Sequence, residues 1–378
     1  MSLKRQIEDP NSPIGKFLRE VFPSRLNRTL LADLNAALRA PAPICLLDRH
    51  TPGWLHSYVG QAIDYRIRLH FRPGPTDLFP MARDGIWAVT HIDDLADILQ
   101  RTPERFPDYA LTRYGDTPDR TGNWQHFLDQ DEDQDPCTIW RLPDAEPDIP
   151  GTLLSTLLHI YRPELRATYL PLECTLEFLD LVHTTIARIA AHERRPTAGE
   201  EAELARCCLV LSVFETVRRS GGRGWPPSFL DGIPPRTAAD LLAAIPARLV
   251  ADVSALAGAF VERHPEWQGL PATLGPKFAG SPDVGGADGD LIVDGCLWDI
   301  KATVQPRAKG AWLYQLLGYL LLDYEDDHAI KRAGFLFPRQ QTAVHWSVTQ
   351  LIGSLSGRTD LALTDLRQGL RDHLSQKT

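Results

Sequence analysis

The sequence holds no Cys-x-x-Cys pair, no apolar run long enough to span a bilayer, no Walker A phosphate loop and no surplus of positive charge. Each absence closes off a class of function. Six cysteines (Cys45, Cys137, Cys174, Cys207, Cys208 and Cys296) without Cys-x-x-Cys spacing argue against a zinc knuckle and against a thioredoxin-like motif. Met1-Ser-Leu-Lys-Arg leads straight into polar sequence rather than into an apolar signal core, so the chain is expected in the cytoplasm, off the membrane and with reduced thiols. Without GxxxxGK[ST], any ATP-driven unwinding belongs to another protein. The net charge of −9 gives no general attraction to nucleic acid, so any such contact has to come from a local basic patch.

What the chain does have is 378 residues, 43% of them apolar, which is enough to bury a large core and to form two or three substructures. Its most informative stretch is residues 285–319. There Asp290-Leu-Ile-Val-Asp-Gly alternates into a turn and Cys296-Leu-Trp-Asp-Ile-Lys resumes the alternation, which predicts a β-hairpin around Asp294-Gly295. Period two puts Asp299 and Lys301 on one face of the second strand, with Asp290 close across the hairpin. Two carboxylates at one point repel each other, and a cation with oxygen ligands relieves that cost. Mg²⁺ is typically held by one or two carboxylates plus water and substrate phosphate. Lys301 then suits activation of a water or neutralisation of a phosphate. Beyond Pro306 and Gly310, residues 312–323 read as a helix with Gln315 and Tyr319 one turn apart on the same face.

An Asp, a strand-borne Asp299-Ile-Lys301 and a helical Gln315-Leu-Leu-Gly-Tyr319, in this order, resemble the PD-(D/E)xK nuclease superfamily, in particular its RecB-like branch. The resemblance covers about the last third of the chain. It implies an α/β fold: a restriction-endonuclease-like core with a mixed β-sheet flanked by helices, here preceded by a largely helical N-terminal region. It further implies Mg²⁺ or Mn²⁺ on Asp290 and Asp299, service of the attacking water by Lys301, and support of the site or contact with the nucleic-acid backbone by Gln315 and Tyr319. DNA is expected ahead of RNA as substrate, a protein partner or activator is allowed for, and restriction, repair or antiphage defence is the family-level context. Some RecB-like nucleases hold an iron–sulfur cluster on cysteines after the QxxxY helix; no cysteine follows Cys296, so no cluster is expected.

Asp288 shares a face with Asp290 and is a second ligand or a replacement first acid. A further acid in this superfamily often comes from a helix before the first catalytic strand, and Glu215, beside an apolar stripe of residues 200–219, is the candidate; pairing with Arg218 or Arg219 is the alternative. Arg218, Arg219, Arg223 and Trp225 make the best basic and aromatic cluster for a phosphate backbone. Asp64, Arg66 and Arg68 read as a solvated helix face, with a backbone contact as the functional alternative. His264 and His345 are expected to be structural. The regional division is 1–150, helical and irregular; 151–265, helical and able to pack onto the core; and 266–378, the nuclease-like core. Helices are expected at 92–101 and 152–161, and the acidic run 129–135 as a solvated loop. The competing class is a catalytically inactive nucleic-acid-binding or interaction protein that keeps the nuclease fold.

Overall fold

Residues 272–347 form a five-stranded mixed sheet, in a computed structural model that describes residues 3–39, 42–48, 50–71, 82, 85–86, 89–90, 170–191, 195–220, 225, 227–230, 235–267 and 269–376. The expected helices at 92–101 and 152–161, the acidic run 129–135 and Arg223 lie outside the described residues. The strands are β1 (Ala272–Leu274), β2 (Leu291–Val293), β3 (Cys296–Ile300), β4 (Arg332–Phe337) and β5 (Thr342–Ser347), in that spatial order. All neighbours pair antiparallel except β3 and β4, which are parallel.

The eleven described α-helices are α1 (Leu3–Glu8), α2 (Pro13–Val21), α3 (Arg28–Arg39), α4 (Gly53–Phe71), α5 (Leu172–Ala190), α6 (Ala198–Ser220), α7 (Ala238–Ala243), α8 (Ala247–Arg263), α9 (Gly310–Leu322), α10 (Val348–Ser356) and α11 (Leu363–Ser375). None is long and apolar enough to cross a membrane. The parallel β3–β4 pair needs a crossover, and α9 provides it, as the chain distance between the two strands requires.

The described residues divide into two units that interleave along the chain. One holds those of 1–74, 192–208 and 247–378, and the other those of 75–191 and 209–246. In the first, Leu313, Leu316, Leu317, Leu320 and Leu321 of α9 pack against Leu297, Phe335 and Phe337 of the sheet and against residues of α1, α2, α3, α10 and α11. In the second, Phe214 stacks on Trp225 (centroids 5.8 Å apart) and meets Phe178, and α7 starts in a reciprocal Thr237/Asp240 capping box.

Three expectations change here. Residues 271–282 contain a strand, β1, and residues 348–356 a helix, α10, neither anticipated from the pattern. Trp225 is buried, so it offers no face to a base, and the basic and aromatic cluster around it is not a stacking site.

Candidate active site

The hairpin forms where expected because its turn chemistry is right. Asp294 (φ 48°) and Gly295 (φ 67°) both take positive φ, which a two-residue type I′ connection needs and which Asp and Gly tolerate. The resulting register pairs Leu291 with Trp298, so Asp290 and Asp299 come next to one another at the open end. The backbone N–H of Ile300 donates to Asp290 Oδ2 at 2.6 Å, which fixes that carboxylate across the strand ends. Asp299 lies in the central strand, opposite Phe335 of β4, and is 1% exposed.

Period two does the rest. Leu297, Asp299 and Lys301 share the face that meets α9, while Trp298 turns the other way onto Trp267 and His345. Lys301 extends the parallel ladder by one bond, N–H to Leu336 O at 2.9 Å. Its ammonium stands 2.6 Å from Asp299 Oδ2 and donates to Gln315 Oε1 at 3.1 Å; Gln315 Nε2 in turn donates to the Tyr319 hydroxyl at 2.8 Å. Asp299, Lys301, Gln315 and Tyr319 therefore form one connected polar row in an apolar interior, with the Tyr319 ring stacked on Phe278.

The electrostatics of this row are uneven. Asp299 Oδ2 is buried, and its close polar neighbour is the Lys301 ammonium at 2.6 Å. Burial pushes the Asp299 carboxyl up to about 6, Lys301 opposes this, and the charge of Asp290 adds to it. The Tyr319 phenol is held well above its ordinary value, first by burial and then by the charges of Asp299 and Asp290, with a smaller push from Asp288. All three acids thus bear on one side chain. Asp288 itself is exposed, in an isolated antiparallel bridge with Lys277.

Among the described residues no three His, Cys, Asp or Glu side chains gather into a metal-binding group. Two neighbouring carboxylates, each felt by the other's charge, are a donor set that suits a hard divalent ion completed by water and phosphate.

Side chains distant in sequence complete the surroundings. Arg68 of α4 lies 3.9 Å from Asp290 Oδ1 and is held by both oxygens of Asp64, at 3.0 and 2.5 Å. Arg66, two residues earlier, is 4% exposed and makes a bidentate pair with Glu201 at 2.7 Å. The expected solvated face at Asp64, Arg66 and Arg68 is therefore corrected: one arginine is a buried tie within the unit, and the other is at the site. A missed signal was available, since a helix whose other positions are so apolar has little reason to be solvated on its charged ones. Lys4 of α1 adds positive charge felt by Asp299; α1 is anchored by Leu3 N–H to Gly286 O and by Gln6 to Val284 O.

Two further residues support the exit from β3. Arg339 donates to Ala302 O at 3.0 Å and Gln340 to Thr303 O at 3.0 Å, fixing the two residues after Lys301. Glu215 belongs to the other unit, where it pairs with Arg219 at 2.5 Å. His264 packs among Phe260 and Trp267, with Nδ1 3.2 Å from Glu266, and His345 rests on Trp298. Cys45, Cys174, Cys207, Cys208 and Cys296 are free thiols.

The fold and the site define a mixed α/β unit with a carboxylate–lysine centre at the end of its central strands. No protein-family model, no curated protein and no solved structure matches the chain.

Proposed function

We propose that this chain is a divalent-metal-dependent nuclease with a restriction-endonuclease-like core of the PD-(D/E)xK kind, hydrolysing phosphodiester bonds in DNA ahead of RNA. The observation that carries the reading is the connected row Asp299–Lys301–Gln315–Tyr319 beside Asp290, which joins every element of the sequence motif in one place. A surface ion pair would not need a buried carboxylate, nor a glutamine that ties the lysine to a buried tyrosine.

Asp290 and Asp299 would hold Mg²⁺ or Mn²⁺, with Asp288 near enough in charge to act as an outer acid. Bound there, the ion supplies Lewis-acid stabilisation of the charge that develops on the phosphate. The other roles belong to this chain's own groups. Lys301, held between Asp299 and Gln315, presents its ammonium to the attacking water or to a phosphate oxygen. Gln315 and Tyr319 fix the lysine. Arg68, whose Nε and Nη2 are held by Asp64 beside Asp290, brings a positive charge to where a phosphate would lie.

The test is cleavage of single-stranded DNA, double-stranded DNA and RNA in Mg²⁺ and in Mn²⁺, comparing the parent with Lys301→Ala. Metal-requiring cleavage that drops by about 10²–10⁴ in the variant, with folding unchanged, is the expected outcome. Cleavage that persists in the variant, or a parent that neither cuts nor binds metal, rejects the reading.

A further inference from the structure

Each of the six positions of α1 has its own surroundings. Leu3 and Ile7 are buried, 2% and 3% exposed. At about 100° per residue they stand roughly 40° apart and make one face. Gln6 is half-buried on one flank of that face and donates to Val284 O at 2.7 Å. Lys4 is exposed on the other flank, about 80° from the middle of the buried face, with exposed Glu8 beyond it. Arg5 is exposed on the side opposite the buried face.

That face sits on the helix of the candidate site. In α9 Gly318 precedes Tyr319, and a Cβ there would stand 3.2 Å from both Cδ atoms of Leu3 and 3.6 Å from Ile7 Cδ1. A glycine inside a helix costs about 1 kcal/mol relative to alanine. Here the missing side chain lets α1 come down onto α9 one residue from Tyr319. The start of α1 is fixed a second time, because the Leu3 N–H donates to Gly286 O at 3.0 Å, two residues before Asp288 and four before Asp290. The residue before Lys4 thus touches both the segment that leads into the acids and the helix that carries Gln315 and Tyr319.

The Lys4 charge reaches the centre. It favours the ionised Asp299 carboxyl against burial, as Lys301 does more strongly. Asp299 is nevertheless 1% exposed, too enclosed for an exposed ammonium to touch. Among the described residues Lys4 makes neither a hydrogen bond nor an ion pair, Glu8 one turn on included. A surface ammonium with its donors unspent, fixed beside a carboxylate–lysine centre, still has a counterion to meet.

We infer that Lys4 is a strand-binding residue, whose ammonium meets a phosphate of the nucleic acid next to the one that is cleaved. This rests on the nuclease reading and names a further contact with its substrate. Lys301, in the buried row between Asp299 and Gln315, serves the reacting atoms, and Arg68 lies 3.9 Å from Asp290. Lys4 comes to the same centre from the surface on a separate helix, and so bears on the neighbouring backbone. A lysine is a point charge on a flexible stem and reads no base, so the contact adds affinity alike for every sequence. With a net charge of −9, the chain depends on such placed cations to hold a polyanion.

The test uses the full chain with Ca²⁺ in place of Mg²⁺, to read binding without cleavage. The probe is a single-stranded oligonucleotide of mixed sequence, DNA or RNA according to which the parent cuts, titrated at several salt concentrations. Removing one phosphate contact from a single strand lowers the slope of log affinity against log salt by about 0.7, which is about fivefold in affinity at ~0.1 M salt. Lys4→Ala should show that loss and Lys4→Arg should not. Arg5→Ala removes the same charge from the outward side of the same helix and should keep the parent's slope. In Mg²⁺, Lys4→Ala should raise KM about fivefold and leave kcat within about twofold, the mark of a contact made equally before and during the reaction. If the parent cuts but Lys4→Ala keeps its slope, or Arg5→Ala lowers it as much, the contact is wrong and the nuclease reading stands. A fall in kcat at unchanged KM also overturns it, by moving Lys4 to the reacting atoms. If the parent neither binds nor cuts any nucleic acid, both fail together.

Discussion

Asp252 and Asp299 are two buried aspartates of the same unit, each facing a cation, and they are finished to opposite degrees. Asp252 on α8 meets Arg339 with both oxygens, at 3.3 and 2.8 Å, and its Oδ1 also accepts the N–H of Leu46 at 2.7 Å. The Arg339 guanidinium spends its other donors on Ile44 O and Ala302 O, and both side chains are 0% exposed. Asp299 has one lysine, whose ammonium lies 2.6 Å from Oδ2. The contrast separates structure from chemistry. A buried charge met by a fork and a backbone donor holds segments together, whereas one met by a single ammonium carries a net cost of burial, which its raised carboxyl records.

The completed pair gives the largest expected effect. Arg339→Met leaves the Asp252 charge buried and two carbonyls without donors, and should cost about 3–5 kcal/mol in denaturant unfolding. The double variant Asp252→Leu/Arg339→Met should be more stable than the single one, because no unpaired charge remains. A double variant as unstable as the single would show that the two carbonyl bonds, rather than the ion pair, are what Arg339 supplies.

Asp299 should behave in the reverse sense. Its carboxyl titrates at about 6 in the folded chain against an ordinary 3.8, so the folded state binds more protons between those values. Stability then rises as pH falls from 6 towards 3.8, and the full cost of the charge is present above 6. Asp299→Asn should therefore gain about 2–3 kcal/mol at pH 7 while abolishing metal-dependent cleavage. A loss of stability in Asp299→Asn would mean that the Lys301 ion pair outweighs the burial of the acid.

The open pair was legible in the sequence and the completed one was not. Asp290, Asp299 and Lys301 announce themselves because hairpin turn and strand alternation are local: Asp294-Gly295 fixes the register, and the register fixes the faces. Gln315 and Tyr319 needed only helical spacing. Arg68 and the Asp252–Arg339 pair depend on which distant segments meet, and neither period nor composition encodes that. Trp225 misled because an aromatic beside arginines reads the same whether it faces solvent or Phe214. β1 has only three residues, too few for alternation to register, and α10 follows β5 directly through its Ser347 cap, so its Val348-Thr-Gln-Leu-Ile reads on as strand.

His70 supplies a third solution for a buried ionisable group, which is to stay neutral. Burial first, then Arg66 and Arg195, push its imidazole down to about 4, and its Nε2 is buried without a partner. The unfolded chain takes up a proton near 6.5 that the folded chain resists, so stability falls as pH drops from 6.5 to about 4. That slope opposes the one from Asp299 over nearly the same range. Acid unfolding profiles should therefore steepen in Asp299→Asn by about 2–3 kcal/mol across the window, and flatten or invert in His70→Phe by about 1–2 kcal/mol once partial exposure of the histidine is allowed for. The exposed pair Arg332–Asp294, 3.0 Å apart, has neither a buried charge nor an unmet donor to report. Arg332→Ala should change stability by less than about 1 kcal/mol and leave the acid profile unaltered. A larger loss there would undo the distinction, because it would make ion pairing itself, rather than burial and satisfaction, the quantity that ranks these sites.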